Sequence, residues 1–378
     1  MYNIAIRADG GPSIGMGHVM RCMAVAEELK NLGCRVYFIG EYKQGLDKAS
    51  AAGFEIFKIK TDTETDITKF DYGSIAELEF DLTETGKIVE QQGCDLILVD
   101  KYNLDVEYFK NLRKSVKKIA FIDDMNLFNC PADIIINGGI NAFSLAYNAA
   151  FKGQRLLLGT EYIPLRKEFS DISLIPERKI RKFECIDGDR IFDEAVEIMI
   201  TTGGADPYNC TGRLLKILIK DRKTNAFHYN VVMGSGFVFQ AEIKKLAIDN
   251  SNINLYIDTE SMSNIMLRSD IAISSGGGTL YELCSSGTPT FAFFLADNQK
   301  GSAETLYQKG YINLLGWYHN FKNIDLPHKV FDLIMDYDTR KNLSKKMRSL
   351  VDGRGAYRIA KELTDCIEKP EKDEVYRS

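Results

Sequence analysis

Short apolar runs alternate with stretches of helical spacing along most of the chain, and that alternation predicts its elements. Residues 2–7 read as a buried strand, 8–17 as a loop, and 18–32 as a helix with apolar positions Val19, Met23, Val25, Ala26 and Leu29. Further strands are expected at 35–39, 95–100, 118–123 and 133–137, with helices between them, which is the pattern of a parallel sheet. The polar segment 61–69 interrupts the rhythm and reads as a loop. Around 171–190 the chain turns charged and loses apolar periodicity, so a domain connection belongs there. A second alternation then gives strands at 197–201, 229–233, 253–256, 271–274 and 288–294. From Tyr337 a helical pattern runs to Glu368, broken near Asp352-Gly353, before a charged tail from Lys369; such terminal helices can pack back across two lobes. The expectation is an α/β protein of two Rossmann-like domains, 1–180 and 181–378, the second carrying the terminal helices.

Composition narrows the class. Of 378 residues 45% are hydrophobic and 27% charged, the balance of a globular chain with a sizeable core. Lys and Arg total 48 against 53 Asp and Glu, and a net charge of −5 gives no overall footprint for nucleic acid. The eight cysteines contain no C-x-x-C pair, which predicts reduced thiols and no zinc site. The chain enters its first strand without a leader pattern, and no apolar run reaches the ~18 residues of a membrane span. A cytoplasmic monomer without a cofactor is expected.

Candidate chemistry sits at the turns. In Arg7-Ala8-Asp9-Gly10-Gly11-Pro12-Ser13-Ile14-Gly15-Met16-Gly17-His18, the glycines Gly15 and Gly17 let the backbone turn and approach a ligand, and the helix amides that follow favour an anion. His18 falls in the first helical turn, where an imidazole can take a proton from water near neutral pH. Asp9 either orients that imidazole or caps the loop. The third glycine of the dinucleotide fingerprint is missing, so an ordinary strand, turn and helix is the alternative reading. Ser275-Gly276-Gly277-Gly278-Thr279 is a second glycine turn ahead of a helix, able to present the amides of Gly278 and Thr279 to a diphosphate. Glu282 either accepts the hydroxyls of a ribose or forms a capping box with Thr279. Asn298 and Gln299 follow an apolar strand and offer neutral groups to a sugar, or else cap the helix that begins near Lys300. A third turn, Gly203-Gly204-Ala205-Asp206-Pro207, stands in the same relation to its strand. Adjacent Asp123 and Asp124 have no third partner in the sequence and do not read as a metal site.

In this order the residues resemble a known family. Arg7-Ala8-Asp9 through Arg21, Val99-Asp100-Lys101-Tyr102-Asn103-Leu104-Asp105, Leu157-Leu158-Gly159 to Tyr162 with Leu165-Arg166, Gly203 to Pro207, Ser275 to Glu282, and Ala296-Asp297-Asn298-Gln299 are similar to the UDP-sugar hydrolases of pseudaminic acid biosynthesis, the PseG family, and to the related spore-coat polysaccharide proteins. The resemblance runs along most of the chain. It implies a GT-B architecture as in the MurG glycosyltransferases, with parallel sheets facing a central cleft and the nucleotide on the C-terminal lobe. It implies metal-independent hydrolysis of a UDP-linked 2,4-diacetamido-2,4,6-trideoxyhexose to UDP and free sugar. His18 matches the catalytic histidine, Tyr102 an active-site tyrosine, Asn298 an asparagine lining the sugar site, and Glu282 the ribose-binding carboxylate. Gly15, Gly17, Arg21, Gly203, Gly204, Asp206, Gly276, Gly277, Gly278, Thr279 and Gln299 are expected to bind substrate. Three departures stand out: Lys101 where a histidine is common, Leu280-Tyr281 in place of a Thr-Trp pair, and a charged insertion at 184–193. A GT-B glycosyltransferase and a non-catalytic nucleotide-sugar-binding protein are the competing readings.

Overall fold

The computed structural model describes residues 1–11, 13–59, 75–170, 173, 175–176, 178–186, 190–191, 195–234 and 236–368. The polar segment expected as a loop at 61–69 and the charged tail from Lys369 lie outside the described residues. The described chain divides into two compact units: unit 1 runs to Ser170 and resumes at Gly353, and unit 2 spans Asp171–Asp352.

Unit 1 contains β1 (Asn3–Ala8), α1 (Gly17–Asn31), β2 (Arg35–Gly40), α2 (Lys43–Ala51), β3 (Glu55–Lys58), α3 (Ile75–Gln91), β4 (Leu96–Asp100), α4 (Val106–Leu112), β5 (Lys118–Ile122), β6 (Ile134–Asn137) and β7 (Arg155–Leu158). The seven strands are all parallel, in the order β3-β2-β1-β4-β5-β6-β7. Strand alternation divides the core in two. Ile4, Ile6, Phe38 and Leu98 meet Val19, Cys22, Val25 and Leu29 of α1 on one face. Ala5, Tyr37, Ile97 and Val99 meet Tyr108, Phe109 and Leu112 of α4 on the other. Both faces are covered, as a parallel sheet requires.

Unit 2 opens with a small antiparallel pair, β8 (Cys185–Ile186) and β9 (Arg190–Ile191). These fall in the segment read as an insertion; residues 187–189 and 192–193 of it lie outside the described residues. There follow β10 (Glu197–Thr201), α5 (Cys210–Leu218), β11 (His228–Met233), α6 (Gln240–Asp249), β12 (Ile253–Ile257), α7 (Met262–Arg268), β13 (Ile271–Ser275), α8 (Thr279–Ser286), β14 (Thr290–Phe294), α9 (Lys300–Gln308), β15 (Asn313–Trp317), α10 (Leu326–Met335) and α11 (Tyr337–Arg348). Its main sheet is parallel in the order β12-β11-β10-β13-β14-β15.

The last helix, α12 (Gly355–Glu368), departs from the expected division, which placed it in the second domain. It belongs to unit 1. Ala356, Ile359, Ala360 and Leu363, spaced for one helical face, enter the same core as α1. Arg155 Nη1 donates to Glu362 Oε2 at 2.7 Å. At its start Gly355 runs so close to Ile163 that a Cβ would stand 2.2 Å from the Ile163 carbonyl oxygen, so only glycine fits.

Candidate functional site

In each sheet the strand order reverses once, between β1 and β4 and between β10 and β13, and loops leaving such a point bind ligands in open α/β sheets. In unit 1 the register sets Ala8 beside Asp100, so the loop before α1 starts next to the end of β4. That loop is braced from within. Gly11 N donates to Gly15 O at 3.0 Å, Gly15 adopts φ +75°, and Gly45 N donates to Gly10 O at 2.8 Å. His18, the second residue of α1, is buried.

His18 Nδ1 lies 2.6 Å from Asp100 Oδ1. Arg21, one turn along α1, grips the same carboxylate with both arms of its fork, Nε to Oδ2 and Nη2 to Oδ1, each at 2.6 Å. Burial works to raise the Asp100 carboxyl, but Arg21 and His18 hold it well below the usual carboxylate range. An ionised acceptor at Nδ1 fixes the tautomer: the neutral ring carries its proton there and leaves the Nε2 lone pair available. Arg21 Nη1 also donates to Asp124 Oδ1 at 3.0 Å, and Tyr102 donates its hydroxyl to Asp124 Oδ2 at 2.6 Å. The Tyr102 ring stands edge-on to His18 with centroids 4.6 Å apart. His18, Arg21 and Tyr102 are thus brought together, through two aspartates that the sequence reading left without a role at the site.

For Asp9, expected either to orient His18 or to cap the loop, the first role is corrected: it accepts from Glu41 N at 2.8 Å and pairs with Arg7 Nη1 at 2.7 Å and Lys101 Nζ at 3.2 Å. The cause is topological: Asp9 leaves β1 toward the end of β2, whereas Asp100 closes β4 on the other side. Arg7, fully buried inside β1, also pairs with Asp81 of α3 and with Glu41, and Tyr108 donates to Asp81 Oδ1 at 2.7 Å. Lys101, the departure noted above, enters this cluster. Burial, with Asp9 adding to it, pushes the Glu41 carboxyl up to about 7 against the pull of Lys101 and Arg7.

In unit 2 the turn after β13 is made of backbone rather than charge. A Cβ at Gly278 would meet nothing within 4 Å, and one at Gly277 only Gln299 Nε2 at 3.9 Å. Helix α8 begins at Thr279 with Gly278 before it and no side-chain cap, so the capping box considered for Thr279 and Glu282 does not form. Glu282 lies buried in the first turn of α8. Asn298 stands in a single 3-10 turn, Asp297–Gln299, and Gln299 accepts from Leu295 N at 3.0 Å through Oε1, closing the loop rather than capping α9. The turns after β10 and β13 are tied together by Ser275, whose hydroxyl donates to Thr202 O at 2.9 Å.

Gly203 takes φ +88° and Gly204 O accepts from Gly236 N at 3.1 Å. Asp206 is a second correction: expected to bind substrate, it is fully buried and accepts from Cys210 N and Thr211 N at 2.8 Å, fastening the start of α5. Among the described residues no group of three His, Cys, Asp or Glu is arranged to hold a metal ion, Cys22, Cys34, Cys94, Cys130, Cys210, Cys284 and Cys366 are unbridged, and no helix is long and apolar enough to cross a membrane. Asp100 had a sequence signal, a carboxylate ending the apolar run of residues 96–99. Its partner was invisible without the strand order.

No protein-family model matches the chain. An uncharacterized protein of Methanocaldococcus jannaschii is 28% identical over 307 residues, 79% of this chain and 56% of that protein, so the chain spans little more than half of that relative. The spore coat polysaccharide biosynthesis protein SpsG of Bacillus subtilis is 24% identical over 97% of this chain and 99% of its own. The UDP-2,4-diacetamido-2,4,6-trideoxy-beta-L-altropyranose hydrolase of Campylobacter jejuni is 22% identical over 82% of this chain and 97% of its own. Among solved structures, MurG of Acinetobacter baumannii superposes with a TM-score of 0.64 at 13% identity, covering 97% of this chain and 100% of that one. The UDP-GlcNAc 2-epimerase of Neisseria meningitidis bound to UDP-GlcNAc gives 0.62 at 14%, covering 97% and 100%. The chain is therefore similar to PseG-type hydrolases and SpsG-type proteins at low identity, and it has two parallel-sheet Rossmann-like domains, the fold of its GT-B neighbours.

Proposed function

We propose that this protein hydrolyses a UDP-linked amino sugar of the 2,4-diacetamido-2,4,6-trideoxyhexose class, releasing UDP and the free sugar. The observation that carries the reading is His18 held on Asp100 with its Nε2 lone pair unspent, an arrangement made to accept a proton. UDP leaves readily, so breaking the anomeric C–O bond needs charge stabilisation and a placed water more than a strong acid. Water attacks the anomeric carbon as the bond to the diphosphate breaks, and His18 takes its proton. The imidazolium so formed is stabilised by Asp100, and Arg21 keeps that carboxylate in place. Tyr102, fixed through Asp124, orients water or a sugar substituent. Gly277, Gly278 and Thr279 receive the diphosphate on backbone amides, Gly276, whose own N–H is spent on Phe293 O at 2.8 Å, starts the turn that presents them, and Glu282 receives the ribose. Open space at the Cβ positions of Gly277 and Gly278 supports this, because packing within the protein does not require glycine there. Asn298 and Gln299 face the sugar in this reading. It also carries a cytoplasmic location, supported by the unbridged thiols, and a monomeric state.

The test is release of UDP from UDP-sugars without any acceptor, before and after dialysis against EDTA. Turnover in both conditions is the expected outcome. Release that requires an added sugar acceptor would replace hydrolysis by glycosyl transfer, and release restored only by magnesium or manganese would overturn metal independence.

A further inference from the structure

Unit 2 has a cavity of about 500 Å³ at the edge of its sheet where the strands begin, opposite the glycine turn. Glu197 opens β10, Asp270 immediately precedes β13, and Asn254 is the second residue of β12. Five residues of β13 at ~3.3 Å each put roughly 16 Å of strand between this edge and Gly276.

Among the described residues, charge in the cavity is unbalanced. Arg178, Lys179, Arg181 and Arg268 line it against the carboxylates of Glu197 and Asp270. Both carboxylates are already engaged. Asp270 accepts from Arg181 Nε at 2.9 Å and from Glu197 N at 2.8 Å. Glu197 accepts from Asn230 Nδ2 at 2.7 Å and lies 3.3 Å from His228 Nδ1. Among the described residues, no carboxylate pairs with Arg178, Lys179 or Arg268. Among the described residues Arg268 Nη2 meets the neutral Tyr256 hydroxyl and, at 3.4 Å, Asn230 Oδ1. Arg178 spends Nη1 on the carbonyls of Met266 and Leu267 at 2.8 and 2.9 Å and on Thr288 Oγ1 at 3.2 Å, while its Nε is buried without a partner among the described residues. Burial, with Arg340 and Arg181 close by, brings the Arg178 guanidinium down to about 10 although Asp270 opposes it. Among the described residues lining the cavity, cations outnumber carboxylates four to two.

We propose that this cavity is a binding site for a small phosphorylated molecule, its phosphate held by Arg178, Lys179 and Arg268. Guanidinium forks match the oxygens of a phosphate, and several cations facing one anion offset one another's repulsion. The volume accommodates more than the bare anion, and Asn254 and Tyr256 give the remainder of the ligand neutral polar partners. The site is separate from the glycine turn and does not depend on the hydrolytic reading.

The experiment is calorimetric titration of the full chain with sodium pyrophosphate, at ionic strength held constant with chloride, and a parallel titration with citrate. Saturable pyrophosphate binding is expected, at least tenfold weaker in Lys179→Gln and weaker again in Lys179→Gln with Arg268→Gln. Lys179 is exposed and makes no bond to another described residue, so its replacement leaves the fold intact. Absence of saturable binding, an affinity within twofold of wild type in both variants, or tighter binding of citrate than of pyrophosphate would each overturn the proposal.

Discussion

The two sheets reverse at equivalent places, each between its first and fourth strands, yet the loops leaving those places are built from opposite materials. At the ends of β1, β4 and the neighbouring β5 stand ionised and polar side chains, each fastened to another: His18 to Asp100, Asp100 to Arg21, Arg21 to Asp124, Asp124 to Tyr102. After β10 and β13 stand glycines, a tie between backbone and hydroxyl, and an uncapped helix start. A network of buried charges is specific and brittle, since removing one member strands the next. A backbone turn carries no ionisable group and is disturbed only by added bulk. In the proposed reading one edge handles a proton and the other receives an anion, so the first is expected to tolerate few substitutions and the glycine turn of the second to fail through added bulk.

Substitutions should separate the two edges. The largest effect is expected from His18→Asn, which should lower turnover ~10²- to 10⁴-fold with UDP affinity unchanged. Asp100→Asn should follow, lowering kcat and removing the ionised acceptor that sets the His18 tautomer. It also leaves Arg21 without its buried counter-charge, at about 3 to 5 kcal/mol in denaturant unfolding. Equal loss of UDP binding in either variant would break the division between edges. On the other edge, Glu282→Ala should weaken UDP by roughly ten- to a hundredfold in calorimetry while leaving unit 1 as it was. Gly278→Ala is the sharper probe: its Cβ meets no protein atom within 4 Å, so stability should stay within about 1 kcal/mol of wild type while UDP affinity falls.

The smallest effect concerns the cluster beside the proton-handling edge. Glu41 takes up its proton at about 7 rather than the ordinary 4.5, so between those values the folded protein holds a proton that the unfolded chain has released. Stability should therefore fall as pH rises through that window, by on the order of 1 to 3 kcal/mol. Glu41→Gln should flatten the dependence of the denaturant midpoint between pH 5 and 8. An unchanged slope would mean that Lys101 and Arg7 keep Glu41 ionised throughout.

The inner strands were legible in the sequence because burial on both faces leaves continuous apolar runs, and residues 197–201 coincide with β10 at both ends. β3, β7 and β15 were missed. All three lie at sheet edges, are short and half-exposed, and β15 carries Gly316 at φ +81° with a shift of register against β14. The same division holds at the site. His18, the glycine turns and Tyr102 announce themselves locally, whereas the bond from Asp100 to His18 joins residues 82 apart and exists only through the pairing of β1 with β4. Arg7, near the end of the apolar strand β1, gave no local sign of its role, because its partners arrive from α3 and from the loops after β1 and β2.

The return of α12 to unit 1 has a consequence for how the protein is made. The surface of α1 that Ala356, Ile359 and Leu363 cover is synthesised near the beginning, and its cover near the end. All of unit 2 emerges from the ribosome in the interval, which at ~5 to 20 residues per second lasts roughly ten to forty seconds. During that time the nascent amino-terminal sheet carries an uncovered apolar strip. A message truncated before Gly355 would leave that strip permanently open, an aggregation-prone product rather than a smaller working one.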